Sequence, residues 1–255
     1  MVTTKISVIT VCFNSAKTIK DTINSVLSQK HQDIEYIIID GGSNDNTTAI
    51  INSYNGALTY ISEKDNGIYD AMNKGFALAT GDVIGTLNAD DFYANENVLE
   101  DIAKVFLDTD VQACYGDLVY VSQQDTSKIV RYWKSRSYVS DLFKSGWAPA
   151  HPTFFARRST YDRLGGFNLN YKIAADFELL FRFIELNKVK TKYLPEVLVK
   201  MRLGGTTNKN LHNIIKQNKE IFSVLNKHYA DFSLPNFIFK KLSSRFFQFI
   251  FHSHS

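Results

Sequence analysis

Two adjacent carboxylates, Asp90 and Asp91, follow a short apolar run of strand type, with the amide Asn88 just before them. Side chains that follow a strand lie at the edge of a sheet, where open α/β folds bind ligands. Carboxylate and amide oxygens suit Mg²⁺ or Mn²⁺, which often hold phosphates with only one or two protein carboxylates. The spacing therefore predicts a divalent metal site at Asp90 and Asp91. The alternative is a surface turn, since Asp pairs are common in loops.

Three earlier apolar runs also end in polar clusters, which indicates that several elements position one site. The runs cover residues 6–13, 35–39 and 58–62, and the clusters that follow them contain Asn14, Asp40 and residues 63–65. Helical patterns separate the runs and cover residues 17–29, 47–54 and 68–79. This alternation predicts a parallel, Rossmann-like sheet with right-handed crossovers. All the polar strand ends then face the same side of the sheet.

The two common phosphate-binding loops are missing from this pattern. No G-x-G-x-x-G follows the first predicted strand, and the sequence contains no G-x-x-x-x-G-K-[ST]. A nucleotide bound at this sheet edge would need another means of neutralising a diphosphate. A metal at Asp90 and Asp91 would supply it.

Composition and charge exclude several classes of protein. The chain has 255 residues, of which 44% are hydrophobic and 22% charged, as is ordinary for a soluble globular protein. The net charge of +3 is too small to indicate a nucleic-acid partner. The two cysteines, Cys12 and Cys114, lack metal-type spacing, so we expect reduced thiols and a cytoplasmic protein. We expect neither a signal peptide nor a membrane span, which would need about 18 apolar residues.

The second half of the chain has a pattern that predicts mixed or antiparallel strands. The predicted elements are a helix over 97–107, strands over 111–121 and 128–133, short strands over 190–194 and 197–201 flanking Pro195, and a helix over 211–229 packed on the domain. Asp117 lies inside the first of these strands, and we expect it to face solvent or to have a structural role.

Two segments of this half contain residues suited to binding or proton transfer. Residues 146–155 concentrate Trp147, His151 and two prolines, which suggests a rigid sugar-facing loop, although both side chains could instead pack beneath the sheet. Asp176 begins a strongly apolar helix, where it would either cap the helix or act as a general base that accepts a proton. Glu178 is the competing base, but two positions along a helix point elsewhere.

The last part of the chain contains two candidate binding segments. Residues 202–207 form a glycine-hinged segment that could close over a ligand, with Arg202 near phosphates, or serve as a plain loop. Residues 237–251 are rich in phenylalanine and carry cations but no acid. This pattern predicts either a basic amphipathic helix on an anionic membrane surface or a helix docked on the protein or on another subunit.

Four ordered motifs of this chain resemble those of family 2 glycosyltransferases, most closely the bacterial enzymes that build surface polysaccharides such as lipopolysaccharide or capsule. The motifs are Val8-Ile9-Thr10-Val11-Cys12-Phe13-Asn14, Asp40-Gly41-Gly42-Ser43, Asp65-Asn66-Gly67-Ile68-Tyr69-Asp70-Ala71-Met72-Asn73-Lys74-Gly75 and Leu87-Asn88-Ala89-Asp90-Asp91. The resemblance implies a GT-A fold, in which a mixed, mainly parallel sheet is flanked by helices. It places the catalytic domain at residues 1–207, with a donor half over 1–95, an acceptor half over 96–207 and C-terminal helices over 208–255.

The resemblance also implies an activity and the residues that carry it. The activity is an inverting transfer of a sugar from a nucleotide diphosphate sugar, preferably a UDP-sugar, to a saccharide or lipid-linked saccharide, with Mn²⁺ or Mg²⁺. Asp40 would contact the base, or else be only a capping or turn residue of its Asp-Gly-Gly loop. Asn14 would line the nucleoside, Asp65 would lie at the pocket entrance and Asp176 would be the general base. The other implied donor contacts are Thr10, Gly42, Asn73, Lys74, Asn88, Asp90 and Arg202. Asp90 and Asp91 would hold the metal, and Trp147 and His151 would lie on the acceptor side.

Three positions depart from the family pattern. Asn88 stands where Asp is commoner, which leaves metal binding mainly to Asp90 and Asp91. Met72 stands where many members have Arg, and Ala175 replaces a Glu beside the base. Two other functions stay open, a sugar nucleotidyltransferase and a non-catalytic carbohydrate-binding protein. The former would need a better phosphate loop than residues 14–17, and the latter leaves the acids at successive strand ends unexplained.

Overall fold

The computed structural model describes residues 4–54, 56–204 and 211–230, together with residues 232, 233, 235, 237, 238, 240 and 243. Within this part of the chain, no helix combines the length and the apolar character that crossing a membrane requires. The amphipathic segment predicted over 237–251 lies mostly outside the described residues, so its membrane contact stays a prediction.

The described strands form one mixed sheet. They are β1 (Ile6–Cys12), β2 (Ile34–Asp40), β3 (Thr59–Ser62), β4 (Val83–Thr86), β5 (Asp91–Tyr93), β6 (Ala113–Val121), β7 (Ile129–Trp133), β8 (Phe155–Arg157) and β9 (Thr191–Arg202). Their order in the sheet is β3-β2-β1-β4-β8-β6-β9-β5, and β7 pairs with β6.

Helices flank this sheet. They are α1 (Ile19–Leu27), α2 (Thr47–Asn52), α3 (Ile68–Leu78), α4 (Val98–Val105), α5 (Arg158–Leu164), α6 (Ala175–Leu180) and α7 (Leu211–His228). A π-helical turn over Phe181–Leu186 continues α6, and a 3₁₀ turn covers His151–Thr153.

The first half of the sheet is parallel and is covered on both faces. Strand β1 pairs in parallel with β2 and β4, and β2 pairs in parallel with β3. Val8 of β1 lies in a buried cluster with Ile23 of α1, whereas its neighbour Ile9 lies in a second cluster with Met72 of α3. Successive strand residues point to opposite faces, so a strand covered on both faces is apolar nearly throughout. The predicted parallel, Rossmann-like half is confirmed.

The second half is mixed, as predicted, and includes two strands that the sequence did not indicate. Strand β8 pairs antiparallel with β4 and β6, and β5 pairs antiparallel with β9. Both β5 and β8 contain three residues, which is too short for an alternating pattern to show.

Strand β9 corrects the prediction of two short strands on either side of Pro195, because it runs without a break through that residue. Its parallel pairing with β6 shifts in register between the pairs Tyr115–Tyr193 and Asp117–Val197. Proline cannot donate to a ladder and is tolerated at bulges. The irregular register therefore lets one strand continue past Pro195.

Asp117 lies at this irregularity and is buried, so it does not face solvent. Its carboxylate accepts hydrogen bonds from the hydroxyls of Tyr132 and Tyr193, each at 2.8 Å, and from the backbone N–H of Ser135 at 2.7 Å. A buried carboxylate needs such partners, since isolated burial of a charge is costly. The structural role proposed for Asp117 fits this placement.

Helix α7 packs on the domain, as the sequence predicts for residues 211–229. Ile221 and Leu225 of α7 are buried in the same apolar cluster as Phe181, the first residue of the turn that continues α6. Helix α7 is thereby fixed next to α6.

Candidate active site

The polar ends of the first four strands lie along one edge of the sheet, which we call the carboxyl edge (residues 13–16, 40–46, 63–67 and 87–91). Backbone hydrogen bonds join neighbouring strand ends, because Gly41 donates to the carbonyl of Cys12 at 2.9 Å and Glu63 donates to that of Asp40 at 3.0 Å. On the other side, Leu87 donates to the carbonyl of Ile9 at 2.9 Å. The convergence of these strand ends is therefore confirmed in the fold.

Asn14 connects the loops after β1 and β2. Its side-chain carbonyl accepts the N–H of Asn44 at 2.9 Å, and its backbone N–H donates to the hydroxyl of Ser43 at 2.8 Å. Its φ of +51° lies in the left-handed region, which Asn tolerates better than most residues. Asn14 is exposed at the carboxyl edge, where it was predicted, and its contact with a nucleoside stays a prediction.

Asp40 is fully buried and anchors the loop after β2. Its carboxylate accepts the N–H groups of Gly42 and Ser43 at 3.2 and 2.9 Å, the hydroxyl of Ser62 at 2.7 Å, and bonds from the Ser43 hydroxyl and the Cys12 thiol. Burial raises the pKa of this carboxyl, but the hydrogen bonds from Ser43 and Ser62 outweigh it and hold the pKa below its usual value. Asp40 therefore has the turn role, and direct contact with a base would require it to give up one of these bonds.

Asp65 reaches over the loop after β2 from the end of β3. It is half-buried, and its Oδ1 accepts the N–H of Gly67 at 2.8 Å. A Cβ at Gly41 would collide with Oδ2 of Asp65, so any larger residue there would displace that carboxylate. Gly42 has a φ of +84° and is exposed, as glycine permits. Asp65 and the glycine pair thus lie together at the carboxyl edge.

The side chains of three further residues that the resemblance assigns to the donor bond to other groups of the protein. Thr10 is buried in β1, and its hydroxyl accepts that of Tyr36 at 3.1 Å. The Asn73 side chain bonds both the N–H and the carbonyl of Phe167, at 2.8 and 2.9 Å. Lys74 forms a 2.6 Å ion pair with Glu63. Direct donor contacts by these side chains stay a prediction.

The two acids after β4 differ in exposure. Asp91 is fully buried at the start of β5, whereas Asp90 is partly exposed. Burial, and then the charge of Asp90, raise the pKa of the Asp91 carboxyl well above its usual value. Oδ1 of Asp91 and Oδ1 of Asn88 are buried with no hydrogen-bond partner among the described residues. These two buried oxygens without hydrogen-bond partners, together with the neighbouring carboxylate of Asp90, are ligands of the kind that a divalent cation binds.

The described residues contain no cluster of three or more His, Cys, Asp or Glu side chains that could hold a metal alone. Mg²⁺ and Mn²⁺ do not need such a cluster when substrate phosphates complete the coordination. Asn88, Asp90 and Asp91 therefore fit a divalent metal that binds together with a diphosphate.

Arg202 supports the loop that carries these acids. It ends β9, is largely buried, and donates to the carbonyl of Asp90 at 2.8 Å. Its guanidinium also pairs with Asp21 of α1 and lies 4.9 Å from the ring centre of Phe92. Arg202 thus lies beside the predicted metal ligands, with its guanidinium committed to protein partners. Most of the glycine-hinged segment after it lies outside the described residues.

Asp176 is the second residue of α6, so it does not occupy the N-cap position, which belongs to Ala174. One carboxylate oxygen accepts the hydroxyl of Tyr69 at 3.2 Å, and the other lies 3.1 Å from Nδ1 of His151. These partners come from α3 and from the 3₁₀ turn before β8. The structure therefore brings together two predicted residues, Asp176 and His151.

Tyr69 is a site residue that sequence reasoning missed. Its hydroxyl has one proton, which the carbonyl of Ile173 at 2.9 Å and the carboxylate of Asp176 at 3.2 Å share as acceptors. Burial, and then the charge of Asp176, raise the pKa of this phenol well above its usual value, so Tyr69 keeps its proton and donates. Its place inside the third motif was the available signal, but a tyrosine at the start of an amphipathic helix is ordinarily a packing residue.

The turn that carries His151 is anchored on β6. The hydroxyl of Thr153, which is buried, accepts the N–H of Gly116 at 3.2 Å and lies 3.1 Å from the carbonyl of Gly116. The side chain of His151 stays 30% exposed, so the imidazole is open on one side while it meets Asp176 on the other.

Trp147 and Glu178 are placed differently from Asp176. Trp147 packs against Phe143, with ring centres 5.6 Å apart, and against Tyr115 and Tyr138. These contacts fit the alternative that Trp147 is a packing residue. Contact between Trp147 and a sugar stays a prediction. Glu178 pairs with Arg182 at 2.9 Å and so points away from Asp176, as its position in the helix predicted.

Comparison with known proteins identifies the family. The family model "Glycosyl transferase family 2" matches residues 7–166. A PGL/p-HBAD biosynthesis glycosyltransferase of Mycobacterium bovis (strain BCG) is 30% identical over 207 residues, which are 79% of this chain and 78% of that protein.

Solved structures agree on the fold. The Staphylococcus aureus protein TarS (residues 1–349), in complex with UDP, matches with a TM-score of 0.62 and 19% identity over 89% of this chain and 72% of that one. The Pyrobaculum calidifontis mannosyltransferase PcManGT, in complex with GDP-Man and Mn²⁺, matches with a TM-score of 0.65 and 19% identity over 96% of this chain and 69% of that one. The chain belongs to glycosyltransferase family 2 and has the GT-A fold, as its motifs and its sheet predicted.

Proposed function

We propose that this glycosyltransferase acts with inversion, depends on a divalent metal, and transfers a sugar from a UDP-sugar to a hydroxyl of a saccharide or lipid-linked saccharide in surface polysaccharide synthesis. The observation that carries the proposal is the position of Asp176, a carboxylate held between Tyr69 of α3 and His151 of the second half. A positioned carboxylate can accept the acceptor's proton, and no enzymic nucleophile is needed for a single displacement.

In the proposed reaction the acceptor oxygen attacks the anomeric carbon of the donor sugar. The bond from that carbon to the diphosphate oxygen breaks, and its electron pair leaves with the nucleoside diphosphate. The hydroxyl proton passes to the carboxylate of Asp176. This carboxylate is 18% exposed, which leaves it open to a hydroxyl while Tyr69 and His151 fix its orientation.

Asn88, Asp90 and Asp91 are the residues that would hold the metal, which when bound supplies positive charge against the diphosphate. Their support comes from the orphaned oxygens of Asn88 and Asp91 and from PcManGT, whose structure contains Mn²⁺ with GDP-Man. Arg202 would position these three residues rather than bind the metal, because its hydrogen bond to the Asp90 carbonyl fixes the backbone of their loop.

Solved neighbours and the sequence both bear on the identity of the donor and the acceptor. TarS was solved with UDP and PcManGT with GDP-Man, so the fold accommodates both nucleotides. We favour UDP from the resemblance of the motifs. A lipid-linked acceptor fits the basic, phenylalanine-rich segment over 237–251.

Two measurements test the proposal without a known acceptor. Calorimetric titration with UDP, GDP, UDP-glucose, UDP-N-acetylglucosamine and GDP-mannose, each with and without Mn²⁺, should show metal-dependent binding of one nucleotide. With the donor so chosen and water as the acceptor, proton NMR should first show the β anomer of the released sugar. Release of the α anomer would contradict inversion. Sugar binding that ignores the nucleotide would favour a carbohydrate-binding protein.

A further inference from the structure

The carboxylate of Glu220, on α7, accepts hydrogen bonds from three successive backbone N–H groups just before α6. The donors are Lys172 at 3.1 Å, Ile173 at 2.9 Å and Ala174 at 2.9 Å. Asp176 follows two residues later. We call residues 172–176 the α6 entry segment.

Glu220 supplies a contact that the local sequence cannot. The N-cap residue of α6 is Ala174, which has no side-chain acceptor, and Glu220 accepts its N–H together with those of Lys172 and Ile173, which precede the helix. Glu220 lies 46 positions further along the chain than Ala174. A carboxylate at this end also interacts favourably with the helix dipole.

A second contact holds the same segment from α3. The hydroxyl of Tyr69 donates to the carbonyl of Ile173 at 2.9 Å, while the N–H of Ile173 donates to Glu220. The peptide groups ahead of Asp176 are therefore held from α3 on one side and from α7 on the other. Helix α7 is itself fixed, because Ile221 and Leu225 are buried in the core.

We propose that Glu220 is a positioning residue for Asp176, and that α7 belongs to the catalytic unit although it lies beyond the family match over residues 7–166. The inference rests on the proposed function, in which Asp176 is the general base. Misplacement of a catalytic group by about 1 Å can lower turnover about 100-fold, so the backbone that carries Asp176 needs such support.

The test compares turnover with donor affinity in Glu220→Ala and Glu220→Gln. The assay is release of the nucleoside diphosphate from the donor that the titration selects, with water as acceptor. We expect Glu220→Ala to lower kcat about 10- to 100-fold, while the Kd for UDP with Mn²⁺ stays within about 2-fold of wild type. Glu220→Gln keeps an acceptor oxygen for Ile173 and Ala174, so it should recover most of the lost kcat.

Two controls separate positioning from stability. Lys219→Ala changes an exposed neighbour on α7 and should leave kcat unchanged. Val224→Ala loosens the buried face of α7 one turn beyond Glu220 and leaves the Glu220 carboxylate in place, so it should lower the Tm with little change in kcat. If kcat instead follows the Tm across Glu220→Ala, Glu220→Gln and Val224→Ala, Glu220 is only a stabilising residue and the inference is wrong.

A third variant keeps the test decisive if Glu220→Ala does not fold. Glu220→Asp retains the charge but is one methylene shorter, so it should lower kcat about 5- to 20-fold with the Kd for UDP unchanged. Wild-type kcat in folded Glu220→Asp would overturn the inference. Failure of the proposed function looks different, because Asp176→Asn itself would then retain wild-type turnover.

Discussion

The carboxyl edge and the α6 entry segment are built in opposite ways. At the carboxyl edge the acids follow successive strands, and Asp40 accepts bonds from Ser43 three residues away as well as from Cys12 and Ser62 on the neighbouring strands. In the entry segment Asp176 depends on Tyr69, which lies 107 positions away, and its backbone depends on Glu220. The first region follows from successive strand ends along the first 91 residues, with Arg202 of β9 bonded to the Asp90 carbonyl, whereas the second joins α3, the turn at His151 and α7. Changes at the carboxyl edge should therefore alter donor binding, and changes at the entry segment should alter turnover.

The largest effect at the carboxyl edge is expected for Asp90→Asn. Loss of this carboxylate should weaken Mn²⁺-dependent binding of the donor about 100-fold or more, since metal and diphosphate bind together there. Calorimetric titration with and without Mn²⁺ measures the change. Asp82→Asn is the matched control, because Asp82 is exposed at the opposite end of the same strand. Equal Mn²⁺-dependent affinities in wild type and Asp90→Asn would remove Asp90 from the metal site.

His151 contacts the entry segment through Asp176. His151→Ala should lower kcat about 10-fold and leave donor affinity unchanged, because the imidazole orients one oxygen of Asp176. His151→Asn places an amide N–H near the position of Nδ1 and should recover part of the loss. Steady-state kinetics of nucleoside diphosphate release measures both. A higher Kd for UDP in His151→Ala, with normal kcat, would show that His151 contributes to donor binding and not to turnover.

A smaller effect is expected for Tyr69→Phe, which removes one hydroxyl and keeps the ring packed on Phe167. Turnover should fall about 3- to 5-fold, and the free energy of unfolding should fall about 1 kcal/mol because the Ile173 carbonyl and Asp176 lose the one donor that they share. Urea unfolding measures the stability change. Phe76→Leu, in the same aromatic group, should destabilise without lowering kcat as far. Equal losses of kcat in the two variants would mean that packing alone explains Tyr69.

The smallest expected effect lies at the far end of the sheet and concerns stability only. Hydrogen bonds from Ser7 and Thr80 outweigh burial and lower the pKa of Glu35 from 4.5 to about 2. Because the folded pKa is below the unfolded value, ionised Glu35 stabilises the fold above pH 4.5, and this contribution is lost as the pH falls toward 2.

Glu35→Gln should therefore show a shallower fall in the free energy of unfolding between pH 5 and pH 3, by about 1 kcal/mol after allowance for solvent screening. Denaturant unfolding across that pH range measures it. Parallel curves for wild type and Glu35→Gln would show that Glu35 contributes nothing. Donor affinity and kcat at neutral pH should not change, since Glu35 lies away from both compared regions.

The same contrast explains what could be predicted from the sequence. The parallel half follows from apolar runs and helical patterns of ordinary length, and its polar strand ends converge because parallel strands share an edge. Strands β5 and β8 have three residues each and show no period. The continuation of β9 through Pro195 depends on an irregular register with β6 that local propensity does not encode.

In the candidate site, too, residues that follow a strand could be predicted, whereas residues that act through tertiary contacts could not. Asp90, Asp91 and Asp40 could be located because each follows a recognisable strand. Asp176 and His151 could be proposed singly, but nothing in their spacing of 25 residues indicates that they meet at 3.1 Å. Tyr69 and Glu220 were missed because each acts through a tertiary contact. Residue type alone favours a packing residue for the first and a solvated helix face for the second.

The central claim is that donor binding and base catalysis belong to separate regions. Its most direct test is to measure both the Kd for the donor with Mn²⁺ and kcat in Asp176→Asn. Glu178→Gln is the matched control, because it changes a neighbouring acid of α6 that pairs with Arg182. We predict a fall in kcat of about 1,000-fold with donor affinity within about 2-fold of wild type, and little change in kcat for the control. Wild-type turnover in Asp176→Asn, or a loss of donor binding that accounts for the lost activity, would contradict the assignment of donor binding and base catalysis to separate regions.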